Sequence, residues 1–177
     1  MARDEVRVVV LFEDAAHRSF LTRIVDHLGL RPVRFMLCVD CNGVMRQFAA
    51  ELAAMRPMMR FQPNLALLVC IDADEHGHAG RLRQLESCIA ANGGARTAHD
   101  RIACLVPALE IENWYVHLCV PAARPIDESR DYKPSPEWRA LAKDLGRAAK
   151  DAARAWPSQP HQDPPALAAA RVELKRL

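Results

Sequence analysis

The sequence predicts an α/β fold: a mostly parallel, Rossmann-like sheet of four strands flanked by helices, followed by a helical C-terminal extension. Three observations lead there. Four short apolar runs alternate with segments of helical periodicity, the pattern of βαβ units with right-handed crossovers. The third run, residues 65–71, is apolar throughout, as a central parallel strand buried on both faces should be. Three of the runs lead into acids, Glu13-Asp14, Asp72-Ala73-Asp74 and Glu110-Ile111-Glu112. In an open α/β sheet those acids gather at the carboxyl edge, where such sheets bind ligands.

Each element has its own signals. Residues 6–12 form the first strand, and Asp14 is the natural N-cap of a helix whose Phe20, Leu21, Ile24, Val25 and Leu28 share a face until Gly29. The second strand, residues 33–39, opens after Pro32. Asn42-Gly43 then leads into a helix with Val44, Phe48, Leu52 and Met55 inward, and Pro57 and Pro63 bracket a loop. After the third strand comes a helix with Leu82, Leu85 and Ile89 inward, stopped by Asn92-Gly93-Gly94. Residues 102–106 make the fourth strand, and Trp114 and Tyr115 read as core residues of the helix beyond it. Residues 121–136 turn to proline and charge, which marks a loop leaving the sheet layer. Ser135 then caps a helix running to about Ala155, with Trp138, Leu141, Leu145, Ala149, Ala152 and Trp156 as its apolar stripe. A last short helix, capped by Asp163, carries Leu167, Val172 and Leu174. The division is residues 1–120 for the sheet domain and 121–177 for the proline-rich loop and the helices packed on it.

Composition narrows the function classes. With 177 residues, 50% hydrophobic and 26% charged, the chain has the makeup of a soluble globular protein with one core. No apolar run approaches the roughly 20 residues that cross a bilayer, and the charged start Met-Ala-Arg-Asp-Glu lacks a signal-peptide core. A cytoplasmic protein without membrane contact is expected. Cys38, Cys70, Cys88, Cys104 and Cys119 lie in or beside apolar runs and read as reduced, buried thiols. Cys38 and Cys41 form a C-x2-C pair, but no second Cys or His pair follows at zinc-site spacing, so structural zinc is not expected. A net charge of +2 does not by itself argue for nucleic acid.

The acids carry the chemistry. Asp72 and Asp74 leave one strand end and point from one loop, an arrangement that suits a hard divalent cation, Mg²⁺ or Mn²⁺. Glu13 joins them if the first and third strands are neighbours, while Asp14 serves as the helix cap. His76 and His78 follow the acids as an H-x-H pair, more simply read as exposed loop residues. Arg81 and Arg83 open the next helix, either facing substrate phosphate or lying on the surface.

These residues resemble the TOPRIM domain shared by bacterial primases, topoisomerases and OLD-type nucleases. Its pattern is a strand-terminal Glu at a strand-to-helix turn and a later strand-terminal D-x-D, here Val8-Val9-Val10-Leu11-Phe12-Glu13 and Leu67-Leu68-Val69-Cys70-Ile71-Asp72-Ala73-Asp74. The stretch Pro107-Ala108-Leu109-Glu110-Ile111-Glu112-Asn113-Trp114 is similar to the E-x-E-x-W element of small stand-alone TOPRIM-like proteins, many encoded beside prokaryotic genome-defence genes. The resemblance spans residues 6–118. It implies Mg²⁺-dependent phosphoryl transfer, with Asp72, Asp74 and Glu112 holding the metal and Glu13 acting as general acid/base or further ligand. Glu112 is preferred to Glu110, because two residues apart on a helix they cannot share a face. Two positions depart from the family pattern, which has Gly after the first Glu and an acid three residues further on. This chain has Asp14 and His17 there, so its first motif is altered while the later D-x-D is kept.

In the extension, Arg139, Lys143, Arg147, Lys150 and Arg154 fall three or four apart as one basic stripe that suits a phosphate backbone, DNA or RNA. Asp144 and Asp151 offer the alternative of a solvated ion-pair face. Lys133, in the preceding loop, is placed to reach back over the acidic edge. The reading that follows is a small metal-dependent nuclease, with a defence-system protein as a candidate partner. Two others stand beside it: a non-catalytic accessory protein that keeps the fold, and a receiver-like signalling domain, which would need a fifth strand followed by Lys.

Overall fold

A computed structural model describes residues 5–157 and 162–177. Four strands, β1 (Arg7–Phe12), β2 (Arg31–Leu37), β3 (Leu65–Cys70) and β4 (Ile102–Leu105), form one all-parallel sheet in the order β2-β1-β3-β4. Helices α1 (Ala15–His27), α2 (Asp40–Met59) and α3 (Gly77–Ala91) make the crossovers, and α4 (Ile111–Cys119) follows β4. The extension holds α5 (Pro136–Ala142), α6 (Leu145–Ala155) and α7 (Pro165–Leu174). No described helix is long and apolar enough to cross a membrane.

Strand alternation divides the core in two. Val8, Val10 and Phe12 of β1, with Ala66, Leu68 and Cys70 of β3, pack against α1, α4 and the helices of the extension. Val9 and Leu11, with Leu67, Val69 and Ile71, pack against α2 and α3. Every residue of β3 is buried, because helices cover both of its faces. Trp114 and Tyr115 are fully buried, and Phe20 meets both, with ring centroids 5.9 and 5.6 Å away.

The boundaries differ from the sequence reading where side chains beyond the local pattern decide them. β2 runs from Arg31 to Leu37, not 33–39, and as an edge strand it is largely exposed. α2 starts at Asp40 rather than after Asn42-Gly43, with the Asp40 carboxylate accepting the Gly43 N–H at 2.7 Å. It also continues through Pro57. Proline sits in the final turn, where it forfeits one backbone hydrogen bond, and the buried Met55 and Met59 hold that turn down. The helix expected to run to Ala155 is two helices. Asp144 caps the second by accepting the Arg147 N–H at 2.9 Å, and the break lets Trp138 reach Tyr115 while Trp156 reaches Phe20. α7 is preceded by Pro164 rather than capped by Asp163, whose carboxylate is taken by Arg171 and by His117 at 3.5 Å. Val172, expected inside, is 60% exposed, whereas Leu167 and Leu174 are buried.

Candidate metal centre

From β1 the chain moves out to β2, and from β3 it moves out the other way to β4. The switch point therefore lies between the carboxyl ends of β1 and β3, the place where open α/β sheets open a crevice for ligands. Glu13 is the first residue after β1, and Asp72 is the second after β3. The Glu13 Oε1 atom accepts the backbone N–H of Asp72 at 2.7 Å, which ties the two strand ends together.

His17, one turn into α1, completes the group. Its ring is fully buried, with Nε2 3.1 Å from Asp72 Oδ1 and Nδ1 2.9 Å from Asp14 Oδ1. Asp14 also accepts the His17 backbone N–H at 2.9 Å as the helix N-cap, so one carboxylate caps the helix and orients the ring. With a carboxylate at each nitrogen, the doubly protonated ring donates on both sides. Burial, the largest single influence, disfavours that charge, but the charges of Asp72 and Cys70 and the hydrogen bonds to Asp14 and Asp72 together outweigh it, and His17 is held well above its usual value. Burial opposes the ionised form of Asp14 too, and the hydrogen bond and charge of His17 bring it down to about 2. Glu13 moves the other way. Burial raises it, the Asp72 N–H partly offsets this, and the Asp72 charge adds to the rise. Glu13, His17 and Asp72 each offer a ligand atom, and these lie within 4.8 Å of one another.

Asp74 stands at the rim. Its side chain is 43% exposed, and its φ of 45° puts it in the left-handed region, strained for a non-glycine residue though tolerated best by Asp and Asn. Arg81 secures this loop. Its guanidinium is buried, donates from Nε to Asp72 O at 3.0 Å, and lies 3.5 Å from Asp74 Oδ2. Arg81 therefore serves as an internal clamp and not as a surface contact for phosphate. Cys41, just past β2, places Sγ 2.8 Å from Asp74 Oδ2 and 3.3 Å from Glu13 Oε2. Burial and then the two carboxylates push its thiol up to about 12.

Glu110 and Glu112 form a separate cluster. Glu110 is extended and precedes α4, whereas Glu112 lies in the first helical turn, so the two converge instead of diverging around one helix. Lys133 Nζ is 3.1 Å from Glu110 Oε2 and 3.8 Å from Glu112 Oε1. Glu112 is 2% exposed, and its Oε2 has no hydrogen-bond partner among the described residues. Burial pushes its carboxyl up to about 7, with the Asp72 and Glu110 charges adding and Lys133 opposing.

Of the expected ligands, the structure thus brings Glu13 and Asp72 together and leaves Asp74 and Glu112 outside the compact set. His76 is exposed, and His78 is half-buried with Nδ1 2.7 Å from Val106 O, so it anchors a loop. The basic stripe is divided by the break between α5 and α6. Arg139 stays on α5 and Lys143 at its end, while Arg147, Lys150 and Arg154 line α6, all exposed. Arg147 and Arg154 both pair with Asp151, at 3.8 and 3.2 Å. Sequence reasoning noted His17 only as a departure from a pattern and did not place Cys41 at the edge. The strand-end argument that selects the acids would have selected Cys41, since β2 neighbours β1.

Comparisons with models of protein families, with curated proteins and with solved structures return no match.

Proposed function

We propose that this protein is a divalent-cation-dependent phosphodiesterase of TOPRIM type, a small nuclease of prokaryotic genome defence acting on DNA or RNA in the cytoplasm. The observation that carries the reading is the convergence of Glu13, His17 and Asp72 within 4.8 Å at the switch point of the sheet. The donor set fits a divalent cation. Its carboxylates suit Mg²⁺ or Mn²⁺, and the imidazole, if a cation displaced its Nε2 proton, would move the preference toward Mn²⁺. When bound, such a cation stabilises the charge that develops on a phosphodiester oxygen and orients the attacking water.

The chain's own residues supply the rest. Glu13, raised by burial, is suited to accept a proton from the attacking water. Glu112, raised to about 7 and keeping a free oxygen, is suited to deliver one to the leaving oxygen. Lys133 bridges Glu110 and Glu112 and is available to a phosphate oxygen, and the exposed Arg147, Lys150 and Arg154 offer backbone contacts on α6. The test is cleavage of plasmid, single-stranded DNA and RNA by the pure protein across Mg²⁺ and Mn²⁺. Metal-dependent cleavage that Asp72→Ala abolishes is expected, and equal cleavage by that variant would refute the reading.

A second reading has one observation in its favour. His17 meets Asp72 on the side a cation would use, and an imidazolium neutralises the pair without any metal. In a non-catalytic binding protein that ion pair would be the whole purpose of the cluster. Calorimetric titration with Mn²⁺ separates the two, since an inert centre gives no heat of binding that Asp72→Ala removes. A receiver-like domain is less well supported, as no fifth strand exists among the described residues.

A further inference from the structure

The amino edge of the sheet, opposite the metal centre, has the reverse charge. Arg60 and Phe61 precede β3, Arg101 precedes β4, and Lys175 and Arg176 follow α7. Two adjoining clefts of about 430 and 530 Å³ lie there and share Met59, Arg60 and His99, so they form one groove. Arg56, Arg60, Arg101, Lys175 and Arg176 line it against a single side-chain carboxylate, Asp100, which Arg56 already holds at 2.9 Å. Arg101 donates to Leu177 O, and Arg176 donates to Glu173 Oε1 at 3.1 Å. Arg60 and Lys175 close α2 and α7, where a cation suits the carbonyl end of a helix, yet neither has a carboxylate partner among the described residues. The groove therefore carries open positive charge.

Phe61 stands at its lip. At 86% exposure it is the most exposed large apolar side chain among the described residues. Its turn is firmly held, with the Phe61 and Gln62 N–H groups both donating to Met58 O, at 2.9 and 2.8 Å, and the Leu65 N–H donating to Gln62 O at 3.0 Å. The facing wall is fixed too. The buried Arg56 guanidinium donates to Ile89 O and Ala95 O at 2.9 Å and to Gly94 O at 2.7 Å. Gly93, with a φ of 123°, comes so close that a Cβ there would sit 3.3 Å from Arg56 Nη1. A ring held rigidly in water beside unpaired cations is the combination that binds single strands, whose bases stack on aromatic faces while their phosphates follow the positive groove. Each cleft has the size of a small-ligand site, which admits an unpaired nucleotide and not a duplex. An acidic peptide would use the cations and leave the ring idle.

We propose that this groove binds single-stranded nucleic acid, with a base stacked on Phe61 and phosphates held by Arg60 and Lys175. It is a second nucleic-acid contact, separate from α6 and on the edge of the sheet away from the metal centre. It does not rest on the nuclease reading, because binding here needs neither a cation nor turnover.

The test measures fluorescence anisotropy of labelled single-stranded DNA and RNA of about 12 nucleotides, within the site sizes of single-strand grooves, in EDTA. A duplex of the same length, an abasic strand and a polyglutamate competitor accompany them. The full chain is compared with Phe61→Ala and with the double variant Arg60→Ala/Lys175→Ala, all at exposed positions, and thermal unfolding confirms that each is folded. Native protein should bind the single strand more tightly than the duplex. Phe61→Ala should weaken single-strand binding at least about fivefold and leave the abasic strand bound as by native protein. The double variant should lower the slope of log affinity against log salt by about 0.7 for each cation removed. Native protein that binds no strand, or binding that neither variant changes, overturns the proposal, as does binding weakened only by Arg147→Ala and Lys150→Ala. Polyglutamate displacing the labelled strand as well as unlabelled strand does also overturns it, and assigns the groove to an acidic protein segment. Cleavage that Asp72→Ala abolishes can persist in all of these cases, so failure of this groove is distinct from failure of the metal centre.

Discussion

Two acidic clusters lie on one edge of this sheet and are neutralised in different ways. At the switch point, Glu13 and Asp72 face the imidazole of His17, which is fully buried and fixed by a carboxylate at each nitrogen. Beside it, Glu110 and Glu112 face Lys133, an ammonium on a half-exposed, four-carbon stem. The rigid ring draws its carboxylates into a group within 4.8 Å, whereas the tethered lysine leaves a buried Glu112 oxygen unpaired and its carboxyl near 7. The geometry of the counter-charge, more than the number of acids, decides which cluster is a compact centre and which holds a movable proton.

The largest effect should come from breaking the first cluster. Asp72→Ala leaves His17 buried beside Asp14 alone, and removing one partner of a buried pair costs about 3–5 kcal/mol. Urea denaturation should show that loss, with cleavage falling to background. Asp72→Asn, which keeps the shape and one acceptor, should recover part of the stability and none of the activity.

The two clusters should also separate by pH. Glu112 is raised from 4.5 to about 7, so its contribution is complete below about 4.5 and is lost as pH rises through 7. Its carboxyl is nearly inaccessible, and a shift of that size corresponds to roughly 3–4 kcal/mol. His17 is raised above 6.5, so the stability it adds is complete below 6.5 and disappears only as pH climbs through its higher folded value. Denaturation midpoints measured from pH 4 to 9 should therefore fall in two stages. Glu112→Gln should remove the earlier stage and leave the later one; an unchanged profile would mean that Glu112 does not produce the earlier stage.

Lys133→Ala should matter less to the fold. The lysine is half exposed, and surface ion pairs are worth about 0–1 kcal/mol, so the denaturation midpoint should move little. Its deletion should instead raise the Glu112 carboxyl further, read as an upward displacement of the alkaline limb of any pH–rate profile, the limb that an essential acid controls. Smallest of all in stability are Arg147→Ala and Lys150→Ala on exposed positions of α6, within about 0.5 kcal/mol. Their effect belongs to affinity: each should flatten the salt dependence of oligonucleotide binding by about one charge.

Much of this was legible in the chain. The unbroken apolar runs of β1 after Arg7 and of β3 announce strands lined by a core on each face, because a strand's side chains alternate between the two faces. Asp14 reads as a cap and Glu13 as a strand-end acid for equally local reasons. Local pattern failed where distant side chains compete for a residue. Asp163 looks like a helix cap until Arg171 and His117 take its carboxylate, and the long helix of the extension looks continuous until two tryptophans must reach different rings.

The sequence by itself determined the parallel α/β architecture, the acids at the strand ends and the caps of α1 and α5, since each depends on residues within a turn or a strand of one another. Only the tertiary structure decided that β1 and β3 are neighbours with the switch point between them. From that one adjacency follow the pairing of Glu13 with the Asp72 amide and the meeting of His17 with Asp72, while the placing of β2 beside β1 brings in Cys41. These contacts join residues up to 59 positions apart, and no periodicity encodes which strand ends meet. Strand order is fixed by how helices fill both faces of the sheet, a property of the whole core rather than of any segment.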